Sequence, residues 1–258
     1  MTDAVGREVK AAVLTPYLVL GFFLLMLALL LRAPASLLQK NLPAGSSLTV
    51  SAWGGTVWDG QAAFSLGQDT GFLRWKLRPQ RLLAGRLAAD VQAQGALELA
   101  GALELGHQAW KIEGLRGELP SRLLQALLPP GWELPGNVRA EALSVARNGR
   151  DKGPWTAAGG QLLWAGGSMQ YNVNGQPQGA TLPPLAVSLR LDGDALVLAL
   201  NEKAGNLGLA TVYLSADGQV ETRLRERLLR YSSGYHGSGG ADPDAVVVTA
   251  KQTLKGWY

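Results

Sequence analysis

The sequence predicts a mostly β protein: a curved antiparallel β-sheet that follows one N-terminal transmembrane helix. Three observations predict it. Residues 11–31 carry no charge, apolar residues occupy every second position in many segments after residue 48, and glycines separate these segments at short intervals. Closely spaced turn residues between short alternating segments are typical of antiparallel meanders rather than of βαβ units. Because the strands alternate, we expect one apolar and one polar face of the sheet.

Composition narrows the classes of function. The 258 residues allow one large β domain or two small ones. The chain has 47 Leu but a single Ile, with 33 Gly, 8 Trp and no Cys. A chain without Cys has no thiolate nucleophile, no disulfide and no Cys-ligated zinc or iron–sulfur site. The two His leave little material for an imidazole metal site. The composition therefore argues against an enzyme and implies no cofactor and no metal.

The uncharged run predicts a membrane anchor at residues 11–32. A helix of 21 residues with a rise of about 1.5 Å per residue spans a hydrocarbon core of roughly 30 Å. Arg7 and Lys10 precede the run, so we expect residues 1–10 in the cytoplasm and the residues after the helix to be exported, which in a bacterium means the periplasm. A cleaved signal peptide is the alternative, since residues 33–35 spell Ala-Pro-Ala. The apolar region of a signal peptide is only about 7–15 residues long, so the anchor in the inner membrane is favoured.

The exported part divides into three regions. Residues 33–47 form a juxtamembrane linker, residues 48–230 a β domain, and residues 231–258 a Gly/Ser-rich flexible stretch and a C-terminal tail. The tail either returns as a final strand around Val246–Val248 or hangs loose. Asp192-Gly193 and Asp217-Gly218 each separate two alternating segments, which predicts two tight hairpins.

One short helix is expected near residues 120–128, because Pro120 precedes an apolar segment that stops at Pro129-Pro130. The sequence also contains two similar Gly- and Trp-containing segments, at residues 54–60 and 159–166. They suggest that the β domain has two related halves, with a seam near residues 118–154.

A set of motifs in the first half resembles a known family. Residues 54–60 read Gly-Gly-Thr-Val-Trp-Asp-Gly, residues 73–79 read Leu-Arg-Trp-Lys-Leu-Arg-Pro, and residues 82–87 read Leu-Leu-Ala-Gly-Arg-Leu. Together with the predicted anchor, this resembles protein N of the bacterial type II secretion system, over most of residues 1–225. The motif residues are structural rather than catalytic in this interpretation: Gly54, Gly55, Thr56, Trp58, Gly60, Trp75, Pro79 and Gly85.

The resemblance implies an accessory inner-membrane component whose periplasmic domain acts through protein–protein contacts in the export of folded proteins across the outer membrane. The expected partners are other inner-membrane proteins of the secretion system and the lipid bilayer, with the secretin as a further candidate. Pairing of open sheet edges between copies would give a homo-oligomer. A charge of +3 beyond residue 32, from 21 basic minus 18 acidic residues, is too mild and too dispersed to predict binding of nucleic acid or of anionic lipid.

A weaker resemblance to AsmA-like envelope proteins gives an alternative function. Proteins of that group have an N-terminal anchor and repeated β-strands, which suggests an open, strongly curved sheet. The resemblance implies that the groove of this sheet holds lipid or another hydrophobe. The apolar face of the sheet must in either case be covered by its own curvature, by the short helix, by a lipid or by a partner.

Four residues are candidates for an interaction surface. Trp132 follows Pro129-Pro130-Gly131 and is the tryptophan most expected to be exposed. The other three lie in one charged segment and form either a docking ridge or a sheet edge protected from aggregation by charge: Arg223, Arg225 and Arg227. His107 in a turn and His236 in a flexible stretch are expected to be solvated residues, because catalysis requires a fixed geometry.

Overall fold

Most of the residues described by the structure, a computed structural model, form β-strands. The described residues are 20–26, 28–41, 48–66, 69–121, 135–149, 153–173, 176–232, 235 and 242–253. Within them, thirteen strands form one sheet and two further strands form a separate hairpin. Each strand of the sheet pairs antiparallel with its neighbours. The predicted mostly β, antiparallel architecture is therefore confirmed.

The strands follow one another along the sheet in chain order. The first eight are β1 Leu48–Gly55, β2 Asp59–Leu66, β3 Asp69–Leu77, β4 Leu87–Gly95, β5 Glu98–Leu105, β6 Ala109–Pro120, β7 Asn137–Asn148 and β8 Trp155–Trp164. The hairpin outside the sheet consists of β9 Gly167–Val173 and β10 Gln176–Leu182. The sheet then continues with β11 Leu185–Asp192, β12 Ala195–Glu202, β13 Gly208–Leu214, β14 Gln219–Arg225 and β15 Val246–Thr253.

Short helical segments flank the sheet. A 3₁₀ helix occupies Ala35–Asn41, helix α1 spans Pro79–Leu82, and helix α2 spans Glu226–Leu229. Both Asp-Gly hairpins are confirmed, as the connections β11–β12 and β13–β14. Gly193 and Gly218 have φ of 61° and 83°, the left-handed backbone that favours glycine in tight turns.

The two faces of the sheet differ in polarity, as the alternation predicts. On one face the strand register places Leu73 opposite Ala93, and Ala93 opposite Leu99. On the other face Arg139 lies opposite Glu118, and the Arg139 guanidinium holds the pKa of the Glu118 carboxyl below its usual range through a hydrogen bond. We call these the apolar face and the polar face.

The sheet curls strongly in its second half. Arg147 of β7 donates from Nη2 to the carbonyl oxygen of Ala216, in the β13–β14 turn, over 2.6 Å. Four inter-strand spacings separate β7 from β13, about 19 Å in a flat sheet, which is beyond the reach of an arginine side chain. The guanidinium is almost completely buried and lies 5.0 Å above the ring of Trp155. The strands must therefore curve around to bring this turn to Arg147.

Beneath the curl lies the largest buried cluster. It combines residues from β7, β8, β11 and β13 with one from the β9–β10 hairpin: Val138, Trp164, Leu185, Leu209 and Leu182. Leu228 of α2 and Tyr231 pack against it. The second half therefore covers its apolar face with its own curvature, the hairpin and α2.

Three sequence predictions near the seam and the tail need correction or completion. Leu119 and Pro120 belong to β6 rather than to the expected helix, Ser121 is helical, and residues 122–128 lie outside the described residues. The predicted seam near residues 118–154 does not interrupt the sheet, because β6 pairs with β7 there, although the ladder contains bulges. Beyond residue 230, the chain returns as β15, so the sheet extends further than the predicted boundary.

The predicted anchor is only partly described. Residues 20–26 and 28–31 are helical, with exposed side chains. No helix among the described residues is long and apolar enough to cross a membrane. Residues 11–19 of the predicted span lie outside the described residues. The anchor at residues 11–32 stays a prediction.

Replacing Arg147 tests the curl. Arg147→Met removes the donors to the carbonyl oxygens of Gly153 and Ala216. We expect the free energy of unfolding to fall by about 2–3 kcal/mol, because buried acceptors lose charged donors. Urea denaturation of the full-length chain in detergent, followed by tryptophan fluorescence, measures this change. Arg190→Met, at an exposed position of β11, is the matched control and should change stability by about 0.5 kcal/mol or less. Equal effects of the two substitutions would contradict the role of Arg147.

Candidate functional site: the helix junction and the apolar groove

The turn between β1 and β2 contains the first motif and depends on its glycines. Gly55 has φ of 79°, and a Cβ atom there would lie 2.5 Å from the carbonyl oxygen of Asp59. Thr56 closes the turn: its backbone N–H donates to that oxygen over 2.9 Å, and its hydroxyl accepts from the Asp59 N–H over 3.1 Å. A glycine followed by threonine is therefore the combination that this tight turn requires.

Trp75 of β3 packs against the same turn. Its indole N–H donates to the carbonyl oxygen of Val57 over 2.9 Å, and its ring meets the ring of Trp53 edge-on with centroids 5.9 Å apart. A Cβ atom at Gly60 would collide with the Trp75 ring and lie 2.6 Å from the Thr56 carbonyl oxygen. Gly60 is thus required for a reason of packing, since only a residue without a side chain leaves room for the indole.

The β1–β2 turn binds the last residues of the N-terminal helix and the residues that follow it. The indole N–H of Trp58 donates to the carbonyl oxygen of Leu30, and the backbone N–H of Val57 donates to that of Ala33, each over 2.8 Å. Ala35 is 1% exposed and packs in a cluster with Trp75. We call this arrangement the helix junction. It fixes the last residues of the helix to the β domain through the motif residues.

The second part of the motif shapes the connection between β3 and β4. Pro79 occupies the start of α1, where a fixed φ is favourable and the missing N–H has no cost. Gly85 has φ of 68°, and its N–H donates to the carbonyl oxygen of Leu82 over 2.9 Å. The N–H of Arg86 donates to that of Arg81 over 3.0 Å. These bonds end the helical turn and return the chain to β4.

An apolar groove lies on the apolar face of the first half. Its volume is about 340 Å³, and every residue that lines it is apolar. The lining comes from all six strands β1–β6, from Val50 of β1 through Phe64, Leu73 and Leu99 to Ile112 and Leu115 of β6. Ligand pockets commonly enclose about 300–1,000 Å³. The groove has the size and the polarity to hold part of a hydrocarbon chain, and its walls offer no group for acid–base chemistry.

The groove is continuous with the helix junction. Val50 and Leu73 pack against the buried cluster that contains Ala35 and Trp75, and also against the cluster that contains Phe64 and Ala93. The alternation in the sequence predicted an apolar face, and the weaker resemblance implied a groove, but neither placed the groove on β1–β6. Alternation of residues reports which face a side chain occupies, whereas a groove arises from how strongly neighbouring strands curve.

The arginine segment lies in β14 and α2, next to the C-terminal strand. Arg223 stacks 4.7 Å above the Tyr213 ring and pairs with Glu221, and hydrogen bonds from Arg223 and Lys251 hold the pKa of the Glu221 carboxyl below its usual range. Asp244 forms an ion pair with each of the other two arginines, Arg225 at 3.6 Å and Arg227 at 3.2 Å. The charged-edge interpretation is wrong, because β15 pairs with β14 and forms the sheet edge instead.

The structure therefore groups some predicted residues and separates others. It brings Gly55, Thr56, Trp58, Gly60 and Trp75 together in the helix junction. Gly54 lies in β1, beside the side chain of Gln61. Pro79 and Gly85 shape the β3–β4 connection, and the arginines lie in another part of the sheet. His107 is exposed in a turn, while Trp132 and His236 lie outside the described residues.

Enlarging Gly60 should loosen the helix junction. We expect Gly60→Ala to displace the Trp75 ring and to cost about 1–3 kcal/mol through overpacking. Double electron–electron resonance between spin labels at Leu31→Cys and Gln94→Cys, in the full-length chain, should show a broader distance distribution than in the parent. Gly159→Ala is the control, since a Cβ atom there meets nothing within 4 Å. A distribution that Gly60→Ala leaves unchanged would contradict the assigned role of Gly60.

Comparison with family models identifies the chain's relatives. Residues 46–230 match the model of the type II secretion system protein N family, a region that contains the glycine turn, Trp75, the groove and the arginine segment. Comparisons with curated proteins and with solved structures find no match. The match covers well over half of the 258 residues. The chain therefore belongs to the type II secretion system protein N family.

Proposed function

We propose that this protein is an accessory component of the inner-membrane assembly of the type II secretion system, without enzymatic activity of its own. Residues 11–32 anchor it once in the inner membrane, residues 1–10 lie in the cytoplasm, and the β domain lies in the periplasm. The domain acts through contacts with other inner-membrane proteins of the system, and the secretin is a further candidate partner.

The helix junction is the observation that carries this proposal. A flexible linker would leave the β domain free to rotate, but Trp58 and Val57 bind the backbone of residues 30 and 33 directly. A domain that is held at the end of its anchor presents the same surface to neighbouring membrane proteins at all times. Such a fixed orientation is useful to a component of an assembly, since less conformational freedom is lost when a partner binds.

The polar face near β14 is the proposed contact surface. Arg223 is exposed enough to reach a partner, with 45% of its side chain accessible, whereas Arg225 and Arg227 share Asp244. A planar guanidinium held over a tyrosine ring is partly ordered before binding, and arginine is enriched at energetically important positions of interfaces. We therefore assign Arg223 as the main contact among the three predicted arginines.

In-cell photo-crosslinking tests this surface. A photo-reactive residue at Gln219, exposed on β14, should give adducts that mass spectrometry identifies as secretion-system proteins. Arg223→Glu should reduce these adducts several-fold, because the charge of the contact is reversed. Arg190→Glu, an exposed arginine of β11, is the matched control and should leave them unchanged. A second photo-reactive residue at Gln61, exposed on β2, tests for partners at the first half of the sheet. Adducts that contain no secretion-system protein at either position would contradict the proposal.

The apolar groove favours a second candidate function, the holding of a lipid acyl chain. An open groove with entirely apolar walls exposes hydrocarbon to water unless something covers it. The shared packing of Val50 and Leu73 connects the groove to the base of the predicted anchor. A lipid chain from the bilayer is an occupant with matching chemistry, and this role is compatible with membership in a secretion assembly.

Placing a charge in the groove tests the second candidate. Leu103 lines the groove, and Leu103→Glu should abolish stoichiometric lipid binding because a carboxylate is not buried against hydrocarbon. Ala100→Glu places the same charge on the same strand, opposite Gln92 on the polar face. Native mass spectrometry of the full-length protein, gently extracted from its membranes, counts bound lipid. Lipid that is equally present in both variants, or absent from the parent protein, would contradict this function.

A further inference from the structure

The connection between β3 and β4 presents leucine side chains to solvent. Leu83 is 93% exposed and Leu82 is 40% exposed. Leu87 and Leu105, which pair at the adjoining ends of β4 and β5, are each 43% exposed. Single exposed leucines are common on protein surfaces, but four in one place form a patch that needs an explanation. We call these four residues the leucine patch.

The patch is held by the backbone and is not a loose loop. Helix α1 begins at Pro79, and the N–H of Arg81 donates to the carbonyl oxygen of Arg78 over 3.1 Å. Gly85 then adopts its left-handed conformation and bonds to Leu82. Leu83 therefore lies at the tip of a closed turn whose shape is set by hydrogen bonds. A rigid tip keeps its leucines outward even though burial would be favourable.

Cationic side chains flank the leucines. Arg81 is exposed in α1 and Arg86 has 58% of its side chain exposed. Arg86 pairs with Glu104 over 2.7 Å, and this hydrogen bond holds the pKa of the Glu104 carboxyl below its usual range. Leucines beside arginines with long apolar stems are typical of segments that lie at a membrane–water interface. Arginine in such a position attracts anionic lipid headgroups.

The patch lies at the same end of the sheet as the helix junction. The N–H of Leu77, just before α1, donates to the carbonyl oxygen of Trp58 over 2.7 Å, and the indole of Trp58 bonds to Leu30. Two inter-strand spacings, about 10 Å, separate the β1–β2 turn from the β3–β4 connection. If residues 11–32 anchor the chain, the bilayer surface lies beside this end of the sheet.

We propose that the leucine patch inserts into the outer leaflet of the inner membrane, beside the anchor, with Leu82 and Leu83 among the acyl chains and Arg81 and Arg86 at the lipid phosphates. The partner is the bilayer surface itself. Together with the helix junction, this second contact gives the sheet one orientation on the membrane. It also directs the end of the apolar face at Leu87 and Leu105 toward the lipid. The inference rests on the proposed membrane anchor.

The absence of cysteine allows a direct test in the full-length chain. The protein carries one cysteine, Leu83→Cys, labelled with an environment-sensitive fluorophore, and is reconstituted into vesicles of phosphatidylethanolamine and phosphatidylglycerol. We expect a blue-shifted emission and several-fold quenching by lipids that carry a spin label on the acyl chain. Arg81→Gln with Arg86→Gln should weaken the quenching, and raised salt should act in the same direction.

Labels at two further positions separate failure of this inference from failure of the proposed anchor. Leu207→Cys is the matched control, a 38% exposed leucine in the β12–β13 connection at the opposite end of the sheet, and should be neither shifted nor quenched. Leu25→Cys reports on the proposed anchor. A quenched label at residue 25 with an unquenched label at residue 83 overturns the inference and leaves the anchor intact. An unquenched label at residue 25 overturns the anchor, and the inference with it.

Discussion

An antiparallel sheet with one apolar face must cover that face, and this constraint governs the whole protein. Each strand alternates, so the strand register aligns leucines, valines and alanines across the apolar face while charged pairs align across the other. Hydrogen bonds between strands stabilise the sheet but leave the apolar face uncovered. The curvature of the second half and the added hairpin cover part of this face, whereas the groove leaves part of it open.

The two halves of the sheet cover their apolar faces to different extents. In the second half, the buried guanidinium of Arg147 ties β7 to the β13–β14 turn, and the strands close over a cluster around Leu209, which is 0% exposed. In the first half, β1–β6 stay open, and their apolar side chains line a groove. The open half lies next to the helix junction.

The glycine- and tryptophan-containing motif lies in the region that matches the type II secretion system protein N family, and it has a structural explanation. Gly55 and Thr56 form the turn, Gly60 leaves space for Trp75, and Trp58 binds the end of the helix. Their shared task is to orient the β domain relative to the segment before it. In the function that we propose, this orientation presents the polar face near β14 to proteins and the leucine patch to lipid.

The sequence by itself determined the strands, their antiparallel order and the polarity of the two faces, because alternation and Asp-Gly turns are local signals. It also identified the family, since the motifs that carry the resemblance are short segments that can be read directly from the chain. The tertiary structure decided what local signals do not encode. Because β15 pairs with β14, the strand that contains Arg223 is not the edge of the sheet. Leu119 belongs to β6, where it pairs with Val138 of β7. The groove and the approach of Trp58 to Leu30 depend on curvature and on contacts between distant residues, which only the folded chain defines.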